Sequence, residues 1–350
     1  MAQSNERLKS INNNNNLQAG PIMANGNTAA RSIPILKEAL PRLTISVVIV
    51  NWNTQKLLAQ CLHTVFADLD HAGLHERAEV FVIDNASSDD SVTMIRSQFP
   101  RVTVIENSHN PGFATANNQA LRQCAGEYVL LLNPDTEVLP STLRTLIAFA
   151  QTQPKAGIIT PRILNPDCSL QESTYPLPSL MREVWRMFHL DKLHALGIYR
   201  MHDWDLKQPR EVESALGACL LVRRSVLAQI GLLDEDYFMY SEEIDLCARA
   251  RKAGWQIWWV PQAQVIHYGG QSTRQVAVAM FLTLYEGKVK YFRKHLGARD
   301  TRLYKSVLMG AALARLSVSP LILVERVARR EHHLQLTRAY RQLLLALPRM

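Results

Sequence analysis

The chain has few cysteines and none in pairs. Cys61, Cys124, Cys168, Cys219 and Cys247 are scattered, with no C-x-x-C and no metal-ligand spacing. This excludes a disulfide scaffold or a zinc knuckle and fits reduced thiols in the cytosol. No apolar h-region follows Met1, which argues against a secretory signal. No G-x-G-x-x-G follows the first candidate strand, so the dinucleotide fingerprint of dehydrogenases is missing. Acidic residues are scarce at one end: residues 293–350 hold twelve Lys/Arg against three Asp/Glu, while residues 1–292 hold twenty-seven against twenty-eight. The net charge of +8 therefore belongs to the tail. With no finger, basic zipper or aromatic-basic RNA motif, a nucleic-acid partner is not expected.

What the chain does have is enough apolar material, 47% over 350 residues, for one large domain or two smaller ones. Residues 1–41, with the Asn12–Asn16 run and no apolar periodicity, read as a disordered leader. After them come buried-strand patterns at 43–50, 80–83, 102–105 and 128–132, separated by helical spacing such as Leu57, Leu58, Cys61, Leu62, Val65 and Phe66. Thr54 and either Ser88 or Asp89 are placed to cap the first two helices. Alternation of strands and helices predicts an α/β fold, a mixed and mostly parallel central sheet flanked by helices.

Each strand gives out in a polar loop: Asn51-Trp52-Asn53, then Asp84-Asn85, then the loop from Asn107 to Asn118, then Asn133-Pro134-Asp135. In open α/β sheets that rim is where ligands bind. A carboxylate such as Asp135 there suits a hard divalent cation that grips phosphate oxygens, although Asn, Pro and Asp are also ordinary turn residues. Gly112 lets backbone approach a ligand, and Ala114 and Ala116 open a helix that also presents Asn117.

Further on, a helix is expected from about Pro140 to Gln151 and a strand over 156–160. The Pro-rich 161–178 reads as a hairpin or acceptor-side loop, and 179–212 as a partly helical insert. A strand follows over Ser214–Val222. Ser241 is placed to cap a helix to Lys252 whose first turn holds Glu242, Glu243 and Asp245. Acids there stabilise a helix N-terminus, and like-charge crowding also raises a carboxyl pKa toward that of a general base. A strand over 254–261 and an extended piece ending in His267 come next, with Trp258 and Trp259 as core. The tail from Gln275 is helical in pattern. Its uncharged runs Ser306–Ala314 and Leu316–Val324 are each too short to cross a bilayer, and beyond them leucines mix with arginines. That composition suits a helix lying on an anionic membrane, or else a helical pair packed on the domain or forming a dimer interface.

Four segments in register, SVVIVNWN, VIDNASSDDS, NPGFATANNQA and EYVLLLNPDTE, resemble the nucleotide-binding half of glycosyltransferase family 2. The resemblance implies the GT-A fold over 42–272, a nucleotide-sugar half at 42–160, an acceptor half at 161–272, and a separate helical tail at 273–350. It implies a nucleotide-diphospho-sugar donor with Mg²⁺ or Mn²⁺. Asp84 then matches the residue that contacts the base, and Gly112, Phe113 and Asn117 the loop along the nucleoside. Asn51, Asn85 and Asn133 complete the donor set. Asp135 matches the last residue of the Asp-X-Asp metal motif, with Asn133 in place of the first aspartate, and His267 the histidine that completes the metal site or touches the diphosphate. The block around Glu242 resembles the acceptor half, where the second member of a Glu-Asp pair deprotonates the acceptor hydroxyl. Glu243 holds that place, with Glu242 and Asp245 as alternatives. The implied activity is inverting sugar transfer, most like bacterial rhamnosyltransferases acting on a glycan or polyprenyl-diphosphate-linked acceptor at the inner face of the membrane, with dTDP-rhamnose ahead of UDP-hexoses. Two rivals are a sugar-1-phosphate nucleotidylyltransferase, which would want a Gly-rich basic loop after the first strand, and a non-catalytic, membrane-tethered binding protein on the same fold.

Overall fold

The computed structural model describes residues 43–271, 277–317 and 327–350. The expected leader at 1–41, the boundary at 272 and part of the second uncharged run lie outside the described residues. In chain order the elements are β1 (Ile45–Asn51), α1 (Gln55–His71), β2 (Ala78–Asp84), α2 (Ser91–Gln98), β3 (Val102–Glu106), α3 (Phe113–Leu121), β4 (Tyr128–Leu132), β5 (Thr136–Val138) and α4 (Thr142–Thr152). Then come β6 (Ala156–Leu164), β7 (Thr174–Tyr175), α5 (Leu180–Met187), β8 (Arg210–Val212), β9 (Ser214–Ala215), β10 (Cys219–Arg223) and α6 (Arg224–Ile230). The chain finishes with α7 (Glu242–Lys252), β11 (Gln256–His267), α8 (Ala277–His295), α9 (Gly297–Ser317) and α10 (Val327–Ala346).

The large sheet has the order β3-β2-β1-β4-β10-β6-β11-β5, with β8 also on β11, and β7 pairs β9 apart from it. Its first four strands are parallel, and β10 enters antiparallel between β4 and β6. The sheet is thus mixed, as expected, with its antiparallel pairs confined to the second half. β4 is central because it has no polar face. Tyr128, Leu130 and Leu132 pack with Leu58, Leu62 and Leu146 on one side, while Val129 and Leu131 pack with Ala116, Ala120 and Leu246 on the other. Each such leucine stabilises the fold by about 1.5–3 kcal/mol through burial. The register pairs Ile49 with Leu132 and Asn51 with Asp84, so the carboxyl ends of β1, β2 and β4 share one rim. The chain passes from β1 to β2 on one side and returns to β4 on the other, and such a reversal opens a crevice at that rim.

Several local expectations change. β6 does not stop at Thr160 but runs through Pro161 to Leu164. Proline is tolerated there because β10 pairs only Ile158 and Ile159, and β11 has a register shift between Val260 and Gln264. The two extended pieces before His267 are one strand, β11, bent at that shift. The strand expected over 214–222 is split, and Leu216-Gly217-Ala218 between its halves stays open. Trp259 is fully buried, as core. Helices α8, α9 and α10 pack around Val289, Phe292, Tyr304, Leu308 and Leu343, and Leu177, Leu180 and Met187 close that core from the α/β domain. Lys288 reaches Glu183 at 2.6 Å and Lys294 reaches Asp234 at 2.6 Å, so the tail is fastened to the domain. Among the described residues no helix is long and apolar enough to cross a membrane.

Candidate active site

Two cavities open along the rim. The first, about 310 Å³, is walled by Asn85, Gly112, Phe113, Asp135 and Phe238, and α8 adds Ala279 and Met280. The second, about 250 Å³, is walled by Gly217, Tyr240, Glu242, Glu243 and His267. They share Phe113, Asn133, Met239 and Gly270, so they are neighbours across Asn133.

The first cavity is built by a clasp between strand-end loops. Asn51 Nδ2 donates to Asp84 Oδ1 at 2.8 Å, and the Ser87 N–H and hydroxyl donate to Asp84 at 2.9 and 2.6 Å. Thr54 heads α1, yet its hydroxyl donates to Asn51 Oδ1 at 2.6 Å instead of capping the helix. Asp89 accepts from the N–H of Gln55 at 3.0 Å and of Ser91 at 3.2 Å, joining the starts of α1 and α2. Asn51 and Asp84 are therefore anchors behind the wall, both buried, and neither lines the cavity. Asn85 is the residue that reaches it, its Oδ1 accepting from Asn107 Nδ2 at 2.9 Å. Asn117 is turned inward, donating to the Phe113 carbonyl at 2.9 Å, and is also absent from the wall. A short polar side chain inside a helix is readily taken up by the backbone carbonyl one turn before it. Gly112 is required: its φ is +93°, and a Cβ would lie 2.5 Å from the Phe238 carbonyl, which also accepts the Phe113 N–H at 2.6 Å.

At the junction, His267 Nε2 stands 3.4 Å from Asp135 Oδ1 and 3.4 Å from Asn133 Nδ2. Among the described residues no three His, Cys, Asp or Glu side chains converge on one point. A hard cation such as Mg²⁺ needs fewer from the protein, since one or two carboxylates suffice when phosphate oxygens and water fill the rest. Neighbouring donors around such an ion, each about 2.1 Å from it, stand roughly 3 Å apart, so the Asp135–His267 spacing fits. Turning the Asn133 amide over would add a carbonyl oxygen to the pair.

Across Asn133, α7 begins with two consecutive left-handed residues, Tyr240 at φ 68° and Ser241 at φ 72°. Ser241 does not cap α7 with its side chain. Backbone held this way costs of order 1–3 kcal/mol per residue and persists where the surroundings impose it. Gly287 of α8 permits it, because a Cβ there would lie 2.7 Å from the Tyr240 carbonyl. The turn aims both glutamates at the second cavity. Glu242 Oε2 and Glu243 Oε2 are buried and find no hydrogen-bond partner among the described residues. Burial pushes the Glu243 pKa up to about 6, with backbone N–H groups at the helix start offsetting part of the rise. Glu242, deeper, is raised well above the usual range by burial and then by the charge of Glu243. Asp245 faces elsewhere: it meets Arg249 at 2.7 Å, Lys294 at 2.8 Å and His295 at 2.7 Å. Burial alone would raise its pKa, but the bonds from His295 and Lys294 and the charge of Arg249 outweigh that and hold it down to about 2. It is a structural tie between α7 and α8, not a base.

The tail's share of the wall was not foreseen, because Ala279 and Met280 carry no sequence signal beyond helical spacing. Gln171 was also missed. It lies in the Pro-rich segment, and its side chain meets His267 Nδ1 at 2.7 Å.

Comparison with known proteins fits this geometry. Residues 46–231 match the family model described as glycosyl transferase family 2. The chain is similar to an N-acetylglucosaminyl-diphospho-decaprenol L-rhamnosyltransferase of Mycobacterium tuberculosis, 35% identical over 215 residues covering 55% of this chain and 67% of that protein. It is similar to a low-salt glycan biosynthesis hexosyltransferase of Haloferax volcanii, 30% identical over 64% of this chain and 66% of that one. A rhamnosyltransferase of Escherichia coli is 27% identical over 47% of this chain and 62% of its own. Among solved structures, a mannosyltransferase from Pyrobaculum calidifontis in complex with GDP-Man and Mn²⁺ aligns with a TM-score of 0.53 at 16% identity, covering 88% of this chain and 84% of that one. At that identity the likeness speaks to fold alone.

Proposed function

Because the chain belongs to glycosyl transferase family 2, has the GT-A fold and is a glycosyltransferase, we propose that it moves rhamnose from dTDP-rhamnose to a hydroxyl of a glycan or polyprenyl-diphosphate-linked saccharide, with inversion. The observation that carries this reading is the junction itself: Asp135 on the first cavity and His267 on the second stand 3.4 Å apart, the two glutamates wall the second cavity, and Asn133, Phe113, Met239 and Gly270 belong to both.

The nucleoside diphosphate occupies the first cavity, against Asn85, Gly112 and Phe113, with Asp84 and Asn51 stiffening the loop that presents Asn85. The sugar projects past Asn133 toward the second cavity. There Glu243 takes the proton of the acceptor hydroxyl, whose oxygen bonds to the anomeric carbon as the bond to the diphosphate breaks. A single base is all that such a direct displacement needs. Burial and the charge of Glu243 raise the Glu242 pKa well above its ordinary value, so Glu243 is the member of the pair better suited to accept a proton. Asp135 and His267, with Asn133 beside them, would hold Mg²⁺ or Mn²⁺, which when bound neutralises charge on the departing diphosphate. The nucleotidylyltransferase fits less well. The loop after β1 is Asn51-Trp52-Asn53, without the glycines and basic residue of a nucleotidylyltransferase.

The names of the mycobacterial and Escherichia coli relatives support rhamnose as the sugar and, for the former, a polyprenyl-linked acceptor. The test incubates purified protein with Mn²⁺, a saccharide acceptor and a panel of dTDP-, UDP- and GDP-sugars, following nucleoside diphosphate release. Turnover with dTDP-rhamnose at least tenfold above the others is expected, and turnover confined to a UDP- or GDP-sugar would overturn the donor.

The outward side of the tail fits a peripheral stay on an anionic membrane. Leu303, Met309 and Leu313 on α9 and Leu345 on α10 are exposed, with Arg302, Arg338 and Arg341 beside them. Full-length protein should float with vesicles containing phosphatidylglycerol and release as salt rises. Equal flotation with purely zwitterionic vesicles would remove the preference for an anionic surface, and flotation with neither would remove the membrane role.

A further inference from the structure

We propose that Gln171 is a positioning residue that locks His267 in its Nδ1–H tautomer, so that the bare Nε2 lone pair faces Asp135 and Asn133. The inference rests on reading that pair as the cation site. It follows from two side-chain amides whose orientations are fixed by acceptors: the Ser169 hydroxyl donates to Asp167 Oδ1 at 2.6 Å, so its oxygen accepts from Asn165, and the other partners are carbonyl oxygens. Asn165 Nδ2 lies 2.9 Å from Ser169 Oγ and 3.5 Å from the Leu170 carbonyl, which turns Asn165 Oδ1 toward Gln171. Gln171 Nε2 donates to that oxygen at 2.8 Å and lies 3.3 Å from the backbone carbonyl of His267. Both contacts call for the NH₂ end of Gln171. Its carbonyl Oε1 is thereby left toward His267 Nδ1, at 2.7 Å.

An amide oxygen can only accept, so Nδ1 carries a proton, and in a neutral ring Nε2 is then bare. The other ring nitrogen, Nε2, faces Asp135 Oδ1 and the Asn133 amide, each at 3.4 Å. The backbone makes the arrangement stiff. Gln171 N–H donates to the Ile163 carbonyl at 2.9 Å, and Asn165 and Ser169 close a turn at 2.8 Å. The end of β6 and this turn thus hold Gln171 against the last residue of β11. Without the amide, a neutral imidazole is at liberty to carry its proton on Nε2, where it would donate to Asp135. A cation would then have to displace that proton and recruit a ring no longer turned toward it. A partner of this kind changes metal affinity by about 10–100-fold in well-studied sites.

Two readouts test this, one of which needs no metal. Full-length protein with ¹⁵N-labelled histidine, studied by long-range proton–nitrogen correlation without cations, should show His267 as Nδ1–H in the parent and in Gln171→Glu. Gln171→Leu, or Gln171→Met if the leucine variant folds poorly, should shift it to Nε2–H. Mn²⁺ affinity by electron paramagnetic resonance, in the presence of nucleoside diphosphate, should fall about 10–100-fold in the apolar variants and stay within a few-fold in Gln171→Glu. An unchanged tautomer in both apolar variants overturns the proposal, as does unchanged Mn²⁺ affinity in them when Asp135→Ala abolishes binding. Mn²⁺ binding that ignores Asp135→Ala overturns the cation reading instead, and is recognised as such because the tautomer is measured without metal.

Discussion

Glu243→Gln is expected to lower kcat by about 10²–10⁴-fold, the usual worth of a positioned general base, while donor binding stays within a few-fold. The amide is nearly isosteric and fills the same space beside Gly217, where an added Cβ would lie 3.4 Å from Glu243 Cβ. It cannot accept the acceptor's proton. The parent's kcat/KM should fall as pH drops through about 6, because protonated Glu243 is inactive, and the variant's residual rate should lose that limb. Stability should move the other way. A carboxyl whose folded pKa lies above its unfolded value, about 4.3, favours folding only while protonated, so that contribution is lost as pH rises through about 6. Removing the ionisation should therefore raise stability at pH 7.5 by something on the order of 1 kcal/mol and leave it unchanged at pH 4. Stopped-rate assays beside thermal melts at the two pH values give both numbers. A variant that turns over at the parent rate would move the base to Glu242, whereas Asp245, tied to Arg249, Lys294 and His295, is not a candidate.

Why the acids of α7 divide in this way was only partly legible in the sequence. Three carboxylates in one helical turn are equivalent in a string of letters, and helix periodicity separates them only into faces. What divides them is α8, about fifty residues on, which supplies Lys294 and His295 to Asp245 and the glycine beneath Tyr240. The sheet was much easier to read, since an unbroken apolar run such as Tyr128–Leu132 has few places to go except between two layers. Strand-end loops were also legible as a group. Within them, the residues that touch the cavity were not distinguished from those that hold the loops together. Asp84 and Asn85 are adjacent and both polar, and only the clasp from Asn51 and Ser87 shows which one is spent on structure. Pro161 misled for a local reason: proline ends a strand only where its missing N–H is needed, and at the bent, half-paired end of β6 it is not. Gln171 had no signal, because an isolated glutamine acquires meaning only from what faces it.

Asp135→Ala should remove the carboxylate from the cation pair and, with it, about 100-fold or more of both Mn²⁺ affinity and turnover. The reasoning is one of charge count. In a site with a single protein carboxylate, one neutral imidazole and one amide, Asp135 supplies all the formal negative charge that the chain contributes. Asn133→Asp is then the informative complement. Its side chain faces the same point, 3.4 Å from His267 Nε2, and the new carboxylate adds a second unit of charge. Mn²⁺ should bind about tenfold tighter, a gain of roughly 1.4 kcal/mol, well below the Coulomb limit because both carboxylates must first be desolvated. Without metal the same two carboxylates repel, so the variant should melt lower than the parent in chelator and recover more strongly when Mn²⁺ is added. Titration calorimetry and melting curves with and without chelator measure the two halves of that expectation. A variant whose affinity does not change, beside an Asp135→Ala protein that has lost binding, would place Asn133 outside the coordination sphere and restrict it to the wall between donor and acceptor. A chain with one carboxylate at this rim binds its cation weakly until the donor's diphosphate supplies the remaining charge, so cation and donor are expected to bind together.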